Sequence, residues 1–207
     1  MNDHAPIRVI KVGGSLLHWM DCIEELPRWL TSQPAMTNLL IAGGGVLADE
    51  VRDLDRKMQL SAETAHRMAV EAMAINSHLL RALLPEGRWL ELSRHEGRFG
   101  SLHDGRLWII EPVDFMDHVE AMAEGQSLPI GWHVTSDSIA ARLAEVVNAE
   151  ELVLLKSALP ESVEKIVCRA AASAGFVDDY FPNAAAKLAR IRAINLRDHQ
   201  FPECRLV

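Results

Sequence analysis

Hydrophobic positions in this chain come in short unbroken runs, and a glycine or polar turn follows most of them. "IRVIKV" (7–12) lacks the alternation of a half-exposed strand and predicts a buried one. After two glycines, "SLLHWMDCIEELPRWL" predicts an amphipathic helix bent or interrupted near Pro27. "TNLLIAGGG" (37–45) repeats the design, and Val46, Leu47, Val51 and Leu54 of the following "VLADEVRDLDRKM" can share a helix face. Two strand–turn–helix units in succession predict a parallel sheet with crossover helices.

Ser61 suits the cap of a long helix whose apolar stripe is Ala65, Met68, Ala69, Ala72, Met73, Leu79, Leu80 and Leu83. Short strands are predicted at 88–93 and 106–111, joined by a mostly polar, glycine-bearing segment (94–105) with the character of a mobile flap. A helix is expected from Val113 to Ala123, then strand, polar turn and helix over 129–147, and an apolar strand over 151–160. "SVEKIVCRAAASA" reads as a further helix, and "AINL" and "CRLV" as closing strands. The rhythm is α/β throughout one domain spanning 1–207.

Composition narrows the function classes. With 29 acidic against 21 basic residues the net charge is −8, the wrong sign for a general nucleic-acid binder, and aromatics at 5% do not make a base-stacking platform. Cys22, Cys168 and Cys204 are odd in number and widely spaced, which fits a reducing cytoplasm better than a disulfide framework or zinc site. No apolar stretch approaches the roughly 18 residues that span a bilayer, and the start of the chain does not resemble an export signal. The nine histidines show no H-E-x-x-H spacing, and Asp49, Asp53 and Asp55 lack a glycine-bearing calcium loop, so no protein-held metal is expected.

An acidic protein must hold an anionic ligand locally. In open parallel sheets ligands collect where strands end and helices begin, because helix amides face outward there. "KVGGS" is neither a Walker A loop, whose lysine follows the glycines, nor a G-x-G-x-x-G fingerprint. Lys11 ends the strand itself; either its ammonium reaches over the Gly13–Gly14 turn to a phosphoryl group, or the turn is structural and the lysine meets solvent. Gly43, Gly44 and Gly45 offer a second run of unobstructed amides, or simply a tight helix entrance. In "TSDSIAARLA" (135–144), Thr135 or Ser136 can cap a helix while Asp137 favours its positive end; alternatively Asp137 orients lysines that stabilise charge on phosphoryl oxygens.

Taken in order, "IKVGGSLL", "LLIAGGG" and "TSDSIAARLA" resemble the amino acid kinase superfamily, which includes aspartate, acetylglutamate and uridylate kinases. "GGGVLADEVRDLDRKMQLSAETAHRMAVEAM", "WHVTSDSIA" and the late "VDDYFP" are most similar to the small kinases of methanofuran biosynthesis, which convert an aminomethylfuran methyl phosphate to its diphosphate with ATP. The resemblance implies a three-layer αβα sandwich on a mainly parallel sheet, with the acceptor on about 1–130 and ATP with Mg²⁺ on about 131–207. It makes Lys11 the contact to the transferred phosphoryl group and Asp137 the organising carboxylate. Gly13, Gly14, Ser15, Ser136 and Ser157 become nucleotide contacts, and Gly43, Gly44, Gly45 and Arg52 acceptor contacts. Lys156 occupies the place of a Thr-Asp loop and becomes a catalytic candidate. Lys187, in "NAAAK", is a further nucleotide contact on this reading; it stands where relatives carry G-G-M-x-x-K, and the missing glycines and methionine rank its catalytic role below that of Lys156. A homo-oligomer is expected from apolar helix surfaces. Uridylate or amino-acid kinases, and a non-catalytic anion-binding protein of the same fold, are the alternatives.

Overall fold

The computed structural model describes residues 5–95, 99–160 and 164–207. Eight strands form one sheet in the order β3-β4-β2-β1-β5-β7-β8-β6. They are β1 (Ile7–Val12), β2 (Thr37–Ala42), β3 (Arg88–Leu90), β4 (Leu107–Ile110), β5 (Glu151–Lys156), β6 (Lys165–Ile166), β7 (Ile191–Asn195) and β8 (Glu203–Leu206). Strands β3 to β7 in that spatial series run parallel; only β8 pairs antiparallel, with β7, and β6 lies parallel to β8.

Strand periodicity divides the core into two layers. Ile7, Val9, Leu39, Ile41, Leu152 and Leu154 face one side, where they meet α4 (Ala62–Leu83) and α6 (Ser136–Val146) and, farther along, α7 (Cys168–Ser173) and α8 (Phe181–Ala184). Ile10, Val12, Leu40, Ala42, Val153 and Leu155 face the other, against α1 (Gly14–Leu17) and α2 (Cys22–Ser32). Helix α3 (Gly45–Met58) packs on α4, and α5 (Pro112–Asp114) opens an irregular helical stretch that ends at Met122. This is the expected αβα sandwich. Among the described residues no helix is long and apolar enough to cross a membrane.

Several local expectations are corrected. The helix after Gly14 breaks at His18–Asp21, and Pro27 lies inside α2. The carbonyl four residues before that proline belongs to Ile23, which is 55% exposed, so the lost bond falls on the solvent side. "PIGWHV" (129–134) forms turns, with Gly131 at φ +144; β1 already has β2 and β5 on its two edges, and no slot remains for an inserted strand. Lys165–Ile166 pairs as a strand, so the helix foreseen over 162–174 contracts to Cys168–Ser173; residues 162 and 163 lie outside the described residues. The described parts of 94–105 form 3-10 turns around Leu92–His95 and Phe99–Leu102, and its centre, 96–98, lies outside the described residues. Val46 and Leu54 do not face the core: they are 49% and 43% exposed, and Val51 is the buried side chain of α3.

Candidate active site

Residue parity places the two lysines. Lys11 follows Ile7 and Val9, and Lys156 follows Leu152 and Leu154, so both leave the carboxyl ends of adjacent parallel strands on the α6 face of the sheet. There Asp137, in the first turn of α6, stands between them. Its Oδ1 lies 3.0 Å from Lys11 Nζ and its Oδ2 accepts a hydrogen bond of 2.6 Å from Lys156 Nζ. The Lys11 contact is an ion pair outside hydrogen-bond geometry, so Oδ1 is buried opposite a charge without accepting a hydrogen. Lys156 Nζ also donates to the Phe176 carbonyl at 2.8 Å and lies 5.1 Å from the Phe176 ring centre.

Burial alone would push the Asp137 carboxyl up, but the charges of Lys11 and Lys156 overcome it and hold the group at about 2. Lys156 is moved down from the ordinary lysine range, first by burial and then by Lys11, against the pull of Asp137 and Asp178. The three groups form one buried cluster in which a single carboxylate faces two lysines.

The two glycine turns meet backbone to backbone above this cluster. A Cβ on Gly14 would lie 2.1 Å from the Gly45 nitrogen, and one on Gly43 would lie 2.8 Å from the Gly14 nitrogen and 3.2 Å from Lys11 Cε. Only glycine permits that approach. Gly45 additionally adopts φ +53, a left-handed conformation, at the start of α3. Gly13 donates its amide to the Leu155 carbonyl at 3.0 Å, tying the first turn to β5. Ser136 Oγ lies 3.1 Å from the Cβ position of Gly43, and Ser15 Oγ is 3.5 Å from Ser157 Oγ on the β5 side. Lys11, Asp137, Lys156, both turns and the three serines thus converge at one end of the sheet.

Arg52 and Lys187 fall outside that cluster. Arg52 lies with its guanidinium 4.6 Å from the Trp132 ring centre and pairs with Asp49. With Gly44, Gly45, His66 and Ser136 it lines a cleft of about 200 Å³ beside the second glycine turn. Lys187 is 68% exposed and pairs with Glu145 near the opposite end of α6, away from Asp137.

Two contributors escaped sequence reasoning. Asn76, in the apolar stripe of α4 and 2% exposed, donates from Nδ2 to the Gly43 and Gly44 carbonyls at 2.7 and 2.9 Å. A buried asparagine in an apolar helix face is the signal that identifies it. Asp178, in the "VDDYFP" segment, accepts from the first turn of α6. Among the described residues no group of three or more His, Cys, Asp or Glu side chains is placed to hold a metal ion.

The fold defines the class first. The structure superposes on UMP kinase from Ureaplasma parvum with TM-score 0.66 and 13% identity, covering 98% of this chain and 99% of that one. On aspartate kinase from Synechocystis the TM-score is 0.65 at 14% identity, covering 97% of this chain and 40% of the longer one, and on UMP kinase from Bacillus anthracis it is 0.62 at 16%, covering 95% and 89%. At such identities these likenesses concern the fold alone. The amino acid kinase family model matches residues 6–158, and the chain belongs to that family. A search of curated protein sequences gave no match.

Proposed function

We propose that this protein is an ATP-dependent small-molecule kinase whose acceptor is itself a phosphate, [5-(aminomethyl)furan-3-yl]methyl phosphate, converted to the diphosphate in methanofuran biosynthesis. The observation that carries the reaction class is the Lys11–Asp137–Lys156 cluster beneath two touching glycine turns. Two phosphate-bearing substrates repel each other, and the chief requirement for joining them is fixed positive charge and alignment. Lys11 and Lys156 supply the charge. Asp137 holds both ammonium groups in place, and the glycine turns let phosphate oxygens approach the backbone.

An ionised phosphate oxygen is already a nucleophile, so the acceptor needs no general base; its oxygen attacks the γ-phosphorus in line as the bond to the ADP oxygen breaks. Both oxygens of Asp137 face lysines, which leaves this carboxylate to position rather than to hold a metal. Mg²⁺ fits as a companion of the nucleotide phosphates rather than a resident of a protein cage.

The acceptor assignment rests on the family resemblance of the sequence, and a cleft of about 200 Å³ beside Gly44 and Gly45 offers a place for the acceptor. The free cysteines suit a reducing cytoplasm, and exposed Val46, Leu54, Met58 and Ile75 on α3 and α4 support a homo-oligomer.

Phosphorus NMR of the protein with Mg-ATP and a panel of acceptors tests this assignment. The furan phosphate is expected to give ADP and a new diphosphate signal. Transfer to UMP or an amino acid instead would replace the acceptor, and nucleotide binding with no transfer to any of them would favour a non-catalytic binding protein.

A further inference from the structure

The segment from Phe176 to Tyr180 touches both halves of the charge cluster. At one end the Phe176 carbonyl accepts from Lys156 Nζ at 2.8 Å. Two residues on, Asp178 takes over the capping of α6. Thr135, the cap residue, makes no side-chain cap bond within its own helix. Instead Asp178 Oδ2 accepts from the Thr135 amide at 3.0 Å, the Thr135 hydroxyl at 2.8 Å and the Ser138 amide at 3.0 Å. Oδ1 accepts from the Ser138 hydroxyl and, at 3.2 Å, from the Tyr180 amide.

Such a cap does more than close a helix. Ordinary capping is local, from the residue at the helix start; this one reaches across about forty residues of chain and is half-buried. The donors it engages bracket Asp137 in sequence, at 135 and 138, so the first turn of α6 cannot rotate without breaking them. Two of the amides at that helix end are also already engaged by this carboxylate. Burial pushes the Asp178 carboxyl up, with Asp137 adding to it, while the Ser138 and Thr135 donors favour the ionised form. The charged groups acting on Lys156 are Asp137 from α6, Lys11 from β1 and Asp178 from this segment.

We propose that Asp178 is a positioning residue for phosphoryl transfer: it locks the first turn of α6 so that Asp137 faces both lysines, and it adds a second negative charge acting on Lys156. Its catalytic part rests on the kinase assignment above; its electrostatic part does not. Asp178→Asn loosens the turn that holds Asp137 against Lys156 and withdraws a charge that favours the ammonium, so the Lys156 midpoint is expected to fall.

The titration of Lys156, followed by the ¹³Cε shift of labelled lysine and assigned with Lys156→Arg, is the decisive readout. D178N is expected to shift that midpoint to lower pH and to lower kcat about 10- to 100-fold with an unchanged KM for ATP. D179N, at the exposed neighbour, is expected to match wild type in both. A folded D178N protein with the wild-type midpoint and kcat would overturn the proposal. Should D178N not fold, Ser138→Ala removes one hydroxyl donor and leaves the carboxylate. A several-fold lower kcat, restored by Ser138→Thr, would then support the proposal, and wild-type kcat would overturn it. The titration needs no acceptor, so a protein inactive towards every acceptor would end the kinase assignment and leave this test intact.

Discussion

Asp137 pairs two buried ammonium groups with one carboxylate, and its loss has a calculable direction. Asp137→Asn leaves Lys11 and Lys156 buried without the carboxylate that both face, and breaking a buried pairing of this kind typically costs about 3–5 kcal/mol. The D137N protein is therefore expected to melt well below wild type and to lose most of its turnover. The pH dependence has a definite sign. A carboxyl held at about 2, below its ordinary 3.8, contributes stability that is fully present above 3.8 and fades as pH falls towards 2. Unfolding measured through that window should lose stability more steeply for wild type than for D137N. The types of residue were legible in the sequence at this scale: a lysine before paired glycines and an aspartate at a helix start. Asn76 showed there only as a polar residue within an apolar stripe, and Asp178 not at all, because their partners lie 32–33 and 40–43 residues away and no local spacing encodes such pairs.

At the scale of elements, the site depends on two turns that only glycine can bring together. Gly14→Ala puts a Cβ against the backbone of Gly45, where neither side can give by a rotamer change. Its cost is expected to exceed about 2 kcal/mol in urea unfolding, with transfer impaired in whatever remains folded. Gly105→Ala is the comparison: φ is +73 there and no atom lies within 4 Å of the added Cβ, so only the left-handed strain of about 1–2 kcal/mol applies. Equal losses for the two variants would contradict the close approach. The main strands were legible because apolar runs bounded by glycines admit few other readings. "PIGWHV" misled because its apolar pattern is strand-like, while the availability of a sheet edge is a property of topology that a local window does not contain. The break at His18–Asp21 was masked by apolar residues on both sides, which share one buried layer despite the interruption.

Across the whole molecule, the sheet carries a second buried ion cluster at its other end. Arg8 donates to Glu151 at 2.8 Å and Arg192 at 2.7 Å, on the layer opposite the lysines, with Arg190 also pairing at 2.7 Å. Glu151 and Lys156 are the first and last residues of β5, so a strand about 17 Å long joins this cluster to the one formed by Lys11, Asp137 and Lys156. Glu151→Gln is expected to cost about 3–5 kcal/mol of stability while leaving kcat of the folded protein within a few-fold of wild type, measured by denaturant titration and by activity at low temperature. A matching fall in kcat would contradict this separation. In the proposed reaction, Lys11 and Lys156, held by Asp137, offset negative charge while the phosphoryl group passes directly from one phosphate to the other. Lys156 tests it best, since Lys156→Met removes one charge from the cluster. The decisive measurement is the rate of ADP formation by K156M with Mg-ATP and a phosphate acceptor, on protein whose circular dichroism matches wild type. The predicted rate is on the order of 10² to 10³ below wild type. A rate within a few-fold of wild type would contradict the account.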